Sequence, residues 1–452
     1  MDYVMDSGAQ NRLVQFFERI GAVLGNKKRK ASFATYAMGL LGEGDRKSME
    51  PIAARACGTL AEVEALHQRL GHFLTDSTWD DREVRKIAAA LTIAKMTERE
   101  PISNWIVDDT GFLKQGKHSV GVDRQYTGSA GKVTNCQIGV SLSVATRTEH
   151  LPIDFELYLP RSWTEDAARR QEARIPDEVQ FKTKSELALQ MMDRAIEDEV
   201  PRGVVLADEA YGNSNEFRAE VTKRELEYGV AVNSNTGVWV VDRKGGLGRV
   251  PWSVREIALN LGAKHFRRTT WREGTRGWLS AKFAARRVVT AHNDGHPASE
   301  REPQWLLMEW RDDEPEPAHF YLLTVPRQTS RKQMVRILKE RYRTERAYED
   351  LKGELGLDHF EGRRFGGWHH HVSVALACYA FITAERVRPF FPSAGWKTAT
   401  PPNRVETGTT LPGFVHHGTS CNRTGAQQLA TAMPAMSSQS SSPRRTATDL
   451  TQ

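Results

Sequence analysis

Residues 104–110, NWIVDDT, form a short apolar run that ends in two acids. Aromatic and β-branched residues favour an extended chain, so the run is expected to be a strand. A second apolar run, VVLAD at 204–208, ends the same way. Between them, CQIGVSLSVAT (136–146) and LPIDFELYLP (151–160) alternate and are rich in β-branched residues. With 104–110 they predict a three-stranded antiparallel meander. TKSELALQMMDRAIEDEV (183–200) has the 3.6-residue period of a helix, capped by Thr183 or Ser185. The class is therefore α/β, with acids at the ends of two separate strands.

A third acid stands far downstream, in RYRTERAYEDLKGELGLDHF (341–360). Tyr348, Leu351, Leu355 and Leu357 recur along this charged stretch, and Glu345 lies on what the pattern predicts to be a helix. Asp109, Asp208 and Glu345 are the candidate catalytic and metal-binding residues, with Asp108 and Glu349 as the alternatives for the first and third. Hard cations such as Mg²⁺ take oxygen ligands and keep open positions for water and phosphate. Two ions about 4 Å apart serve phosphoryl transfer. Taken singly, each acid has a plainer explanation. An Asp after a strand is usually a turn or cap residue, and a Glu on a charged helix is usually a solvated partner.

The order strand-Asp, meander, helix, strand-Asp, insertion, helix-Glu is that of ribonuclease H-like nucleases. The sequence resembles the DDE transposases of bacterial insertion sequences, in the group with a Tyr-Arg-Glu-Lys signature and in a branch like that of insertion sequence 701. Arg341, Glu345 and Lys352 keep the signature's spacing, while the tyrosine position falls on Leu338 and Tyr342 is out of register. WIVDDTGFLKQGKHSVGVDRQYTGSAGKVTNCQIGVSLSVAT (105–146) resembles the first-Asp block, VVLADEAYG (204–212) the second, and residues 341–371 the Glu block. GLLGEGDRKSMEPIA (39–53) resembles the branch's N-terminal region, so the likeness runs from about residue 30 to 389. It implies two Mg²⁺ (or Mn²⁺) ions on the acidic triad, cleavage of transposon ends, joining to target DNA, and a homodimer on DNA. A stand-alone nuclease of the same fold and a domesticated, inactive DNA-binding protein are the rivals.

DNA contacts are expected from Lys352 and Arg341, and from Lys114, Lys117, Arg124 and Lys132 in turns after the first acids. In the Arg- and Trp-rich stretch 265–287, Trp271 or Trp278 suits base stacking. Core packing is the better expectation for at least one of them. His369, His370 and His371 point in different directions on a helix, which favours core and capping roles over metal binding.

The 452 residues, 39% hydrophobic and 27% charged with mean hydropathy −0.54, describe a soluble globular chain. A net charge of +6 from 63 bases and 57 acids permits a nucleic-acid partner. Cys57, Cys136, Cys378 and Cys421 lie far apart, so neither a zinc site nor a disulfide framework is expected, and the cytoplasm is the expected location. The acidic, polar N-terminus does not read as a signal peptide. No apolar run reaches roughly 18 residues, so no membrane span is expected. The expected organisation is a helical N-terminal DNA-binding domain (1–100), a ribonuclease H-like core (101–235), a β-rich insertion (236–330), the second part of the core with the Glu helix (331–390), and a disordered tail (391–452) rich in Ser, Thr and Pro.

Overall fold

The computed structural model describes residues 7–242, 244–274, 277–291 and 297–388. The expected disordered tail lies outside the described residues. Five helices open the chain: α1 (Ser7–Gly21), α2 (Lys27–Leu41), α3 (Met49–Ala56), α4 (Leu60–Gly71) and α5 (Asp81–Thr97). Their starts are written in the sequence. Asn26 accepts from the Arg29 N–H, Thr59 and Glu62 form a capping box, and Asp80 accepts from the N–H groups of Arg82 and Glu83. Ser48 occupies the N-cap of α3 without a side-chain bond.

The central elements follow as β1 (Asn104–Leu113), β2 (Asp123–Thr127), β3 (Lys132–Ala145), β4 (His150–Tyr158), α6 (Arg161–Thr164), α7 (Ala167–Ala173), α8 (Lys184–Glu197), β5 (Val204–Ala207), α9 (Glu209–Gly212), α10 (Asn215–Lys223) and β6 (Tyr228–Val232). A Thr183–Glu186 capping box starts α8, which selects Thr183 over Ser185. β3 lies antiparallel between β1 and β4, β5 runs parallel to β1, and β6 runs parallel to β5. The order β4-β3-β1-β5-β6, three antiparallel strands followed by two parallel ones, is the ribonuclease H-like arrangement. Parallel strands need crossovers, which α8 and α10 supply. β2, a strand that the Gly-rich spacing had read only as a turn, pairs with the first part of β3.

The segment that follows contributes β7 (Gly237–Val240), β8 (Trp252–Ser253), α11 (Val254–Leu261), β9 (Arg267–Gly274), β10 (Gly277–Thr290), β11 (Gln304–Trp310) and β12 (His319–Leu323). These strands continue the central sheet. β12 pairs antiparallel with β6, and the order runs on through β11, β10, β7 and β8, with β9 on β10.

Three helices close the chain: α12 (Arg331–Lys339), α13 (Tyr342–Gly353) and α14 (Phe365–Arg386). α12 lays Met334, Val335 and Leu338 on Ile106, Leu206 and Leu323 of the sheet. α14 is apolar almost all round and buried over nearly its whole length, as such a helix must be. Trp368 packs on Phe112 and Phe155, and Phe381 on Phe16 of α1. The N-terminal helices therefore share one core with the central sheet through α14. Among the described residues, no helix is long and apolar enough to cross a membrane.

Candidate active site

The site begins with a question of parity on β1. Successive side chains of a strand leave opposite faces, so Asp108 and Asp109 cannot serve one centre equally. Ile106 pairs with Leu206 on the parallel neighbour β5, and both enter the core patch beneath α12. Two residues further along β1 comes Asp108, on that same side by alternation, and just past the end of β5 comes Asp208, the N-cap of α9, which lines one cavity with Leu206 and Leu338. Asp109 leaves on the other side, where it bonds Lys184 Nζ of α8 at 2.9 Å and accepts from the Tyr211 hydroxyl at 3.4 Å. Of the two candidates for the first acid, Asp108 is the one tied to Arg341 on the Glu345 side, and Asp109 is paired with Lys184 and Tyr211.

Glu345 is brought to the Asp108 side by α13. Its side chain is 61% exposed and lines, with Asp208, Glu209 and Arg341, a cavity of about 460 Å³. Arg311, His319, Tyr321, Lys339 and Tyr342 form the rest of its polar wall. Glu349, one helical turn on, does not line the cavity and pairs with Arg346 at 2.7 Å.

Arg341 joins the acids. Its guanidinium donates to Asp108 Oδ2 at 2.7 Å and to Glu345 Oε1 at 3.2 Å. Asp108 is only 8% exposed. Burial pushes its carboxyl up to about 7; Arg341 opposes the rise, while the charges of Asp208 and Asp109 add to it. Burial works against the Arg341 charge, but Asp108, Asp208 and Glu345 outweigh it and raise its pKa. Behind the site the buried Tyr348 hydroxyl lies 2.6 Å from Ser141 Oγ, opposite Asp108 on β3. Burial, then the Asp108 charge, push that hydroxyl well above the usual phenol range. His150 Nε2 lies 3.0 Å from Thr344 Oγ1 and so ties the residue before Glu345 to β4.

All the candidate donors are carboxylate oxygens, the chemistry a hard divalent ion requires. A cation already stands among them, the Arg341 guanidinium. Among the described residues, no three His, Cys, Asp or Glu side chains are gathered closely enough to hold an ion in this arrangement. By donor type the carboxylates suit Mg²⁺ or Mn²⁺.

The other expected contacts divide. Lys352 turns inward, donating to Thr110 Oγ1 at 2.7 Å, the Gly111 carbonyl at 2.8 Å and Ser129 Oγ at 3.3 Å, and its burial lowers its pKa. Lys114 also turns inward, onto the Phe360 carbonyl at 2.7 Å. Both ammonium groups are thus taken up by protein oxygens rather than left open for phosphate. Lys117, Arg124 and Lys132 are exposed. Trp271 is half-buried, edge-on to Phe283 and beneath the Lys339 ammonium, whereas Trp278 is 70% exposed. The three histidines bond three different parts of the core. His369 meets Glu156, His370 the carbonyls of Leu74 and Trp79, and His371 the Tyr36 hydroxyl and the Leu357 carbonyl.

Sequence reasoning did not find Lys184 and Tyr211 as the partners of Asp109, nor Tyr348 behind Asp108. The first pair lies 75 and 102 residues away from Asp109, with no local signal. Tyr348 lies on the Glu345 side of its helix, three residues on, which is a spacing that could have suggested it.

Two family models match the chain: DDE superfamily endonuclease over residues 16–278, and transposase DDE domain over residues 181–381. The chain is similar to a protein of Microchaete diplosiphon named "Probable transposase for insertion sequence element IS701", at 29% identity over 214 residues. That match covers 47% of this chain and 51% of the relative, so the chain spans about half the length of the curated relative it matches. Among solved structures, a piggyBac transposase synaptic complex with hairpin DNA matches 80% of this chain and 66% of its own, with a TM-score of 0.41 and 11% identity. The fold assignment above rests on strand order and not on that match.

Proposed function

The chain belongs to the DDE superfamily of endonucleases, and from that premise we propose that it is a transposase that cuts the ends of an insertion sequence and joins them to target DNA. The observation that supports this proposal is that Asp208 and Glu345 line one cavity while Arg341, on its wall, ties Glu345 to the buried Asp108. These three carboxylates would hold two Mg²⁺ or Mn²⁺ ions. Bound divalent ions supply a nucleophile at neutral pH and neutralise charge on the attacked phosphate.

The protein's own part is placement. Strand β1, the start of α9 and helix α13 carry the three acids, and Tyr348 and His150 tie α13 to β3 and β4 from behind. In the first step a water oxygen bonds to phosphorus, the bond from phosphorus to the 3′ oxygen breaks, and a free 3′-hydroxyl is left. In the second step that 3′ oxygen bonds to a target phosphorus and displaces another 3′ oxygen. One phosphodiester is made for each one broken in the second step, so no energy-rich cofactor is consumed.

DNA is the substrate and partner, and two copies of the chain would bring two ends together. Lys117 and Trp278, both exposed, are the DNA contacts the proposal keeps at the periphery, and Arg341 is the one at the centre. Action on bacterial chromosomal DNA would take place in the cytoplasm. The test is an end-cleavage and strand-transfer assay with Mg²⁺. Wild-type protein should cut and join, whereas cutting without joining would favour a stand-alone nuclease and binding without cutting would favour an inactive DNA-binding protein.

A further inference from the structure

We propose that Arg341 is a built-in counter-cation: it holds Asp108 and Glu345 while no ion is bound, and it must release both for divalent ions to enter. The inference rests on the assignment of Asp108, Asp208 and Glu345 as the ion-binding carboxylates, and it adds a regulated entry step to that site.

The geometry is specific. One guanidinium spans two acids that lie 237 residues apart in the chain, donating one N–H to each at 2.7 and 3.2 Å. A divalent ion of this class needs carboxylate oxygens at about 2.0–2.1 Å. The Asp108 and Glu345 oxygens already accepting from Arg341 are directed at the guanidinium, and two cations do not share that space without repulsion.

Arg341 can also leave. Its side chain keeps 30% exposure and Glu345 keeps 61%, so this end of the bridge opens to solvent. Asp108, by contrast, is enclosed and would be left with a buried charge if Arg341 withdrew and nothing replaced it. Departure of the arginine and arrival of an ion are therefore coupled. The released guanidinium would still line the cavity beside Arg311 and Lys339. Its planar fork matches a phosphate there. Ions and DNA phosphate thus divide the bridge between them, the ions taking the carboxylates and the phosphate taking the arginine.

The experiment is a titration of the full chain with Mn²⁺ alone, without DNA, read by the electron paramagnetic resonance signal of the free ion and by the shift in melting temperature. Arg341→Gln removes the competing cation and should bind Mn²⁺ about tenfold more tightly than the wild type, the size expected for one lost charged pair. Arg341→Lys, which keeps the charge but cannot bridge both acids, should fall between them. Asp108→Asn should lose the site. If Asp108→Asn abolishes binding while Arg341→Gln binds no more tightly than wild type, the counter-cation proposal is overturned and the carboxylate assignment stands. If Asp108→Asn binds as well as wild type, the carboxylate assignment itself fails. Should Arg341→Gln not fold, Arg341→Lys decides: an affinity no greater than wild type overturns the proposal.

Discussion

Two groups of charged side chains lie within one fold and are compensated in opposite ways. At the covered edge of β4, Asp81, Asp154 and Glu156 meet Arg85, Arg194 and His369, three acids against three bases once the imidazole is protonated. Arg194 bonds Asp154 at 2.8 Å and Glu156 at 2.7 Å, and Arg85 reaches Ser373 on α14 at 2.7 Å. At the cavity, one arginine bridges Asp108 and Glu345, with Asp208 close by and not bonded to it. The first group is closed and neutral, as buried charges must be to persist. The second carries excess negative charge next to open space. Balanced ion clusters staple elements together, whereas an unbalanced one in a cleft is a candidate functional site.

The sharpest way to break this comparison is to neutralise an acid in each group. Asp108→Asn should lower end cleavage by at least about a thousandfold, a loss of roughly 4 kcal/mol of transition-state stabilisation. Asp109→Asn should retain most of the cleavage rate, because its charge serves Lys184 on the opposite face. Equal losses in the two variants, measured as single-turnover rates, would remove the distinction between the faces of β1.

In the neutral cluster the effect should be on folding. Arg85→Met leaves Asp81 and Asp154 without their shared partner and should cost about 3–5 kcal/mol, read from denaturant unfolding, with DNA cleavage by the surviving folded protein unchanged. Lys352 tests a border case. Its ammonium is taken up by Thr110, Gly111 and Ser129. Lys352→Ala should therefore lower stability by about 1–3 kcal/mol and leave the salt dependence of DNA binding nearly unchanged. A slope reduced by about one unit with an unchanged melting temperature would return Lys352 to the phosphate.

The smallest expected effect is a pH dependence of the neutral cluster. Burial alone would lower the His369 pKa, but the hydrogen bond and charge of Glu156 overcome it and raise it above its ordinary 6.5. A raised folded-state value means the stabilisation is complete below about pH 6.5 and is lost as pH rises through the folded value. Melting temperatures measured across that range should decline as pH rises. His369→Gln should flatten the decline, and a wild-type curve without it would mean the imidazole is neutral in the native protein.

Much of this was legible in the sequence. The meander, the acid after β5 and the Thr183 cap each rest on local chemistry and each has a counterpart in the structure, whereas β1 runs on to Leu113, past the two acids expected at its end. The choice between Asp108 and Asp109 was not legible, for a physical reason. β1 is buried on both faces from Asn104 to Asp108, so the alternation that usually reveals which side chains point inward is missing. The answer lay in the pairing of Ile106 with Leu206, which depends on residues a hundred positions apart. The inward turn of Lys352 and Lys114 was hidden likewise, since their acceptors are backbone carbonyls and hydroxyls that no motif encodes. Trp271 and Trp278 differ only in depth within the segment, which spacing does not report.

The continuous hydrogen-bonded ladder has a mechanical consequence. A domain hung on a linker can pivot, but β12 is zipped to β6 through Phe320–Val232 to Leu323–Gly229, and β11 and β10 are zipped on in turn. Swinging that region would mean unzipping the sheet that carries Asp208. Neighbouring strands lie about 4.8 Å apart. Four steps from β5 to β10 therefore set a fixed distance of roughly 19 Å along the sheet, equal to the rise of about five to six base pairs at 3.4 Å each. The sheet is a ruler: the β10 end stands at a set distance from Asp208, and that distance changes only if a strand is added or removed.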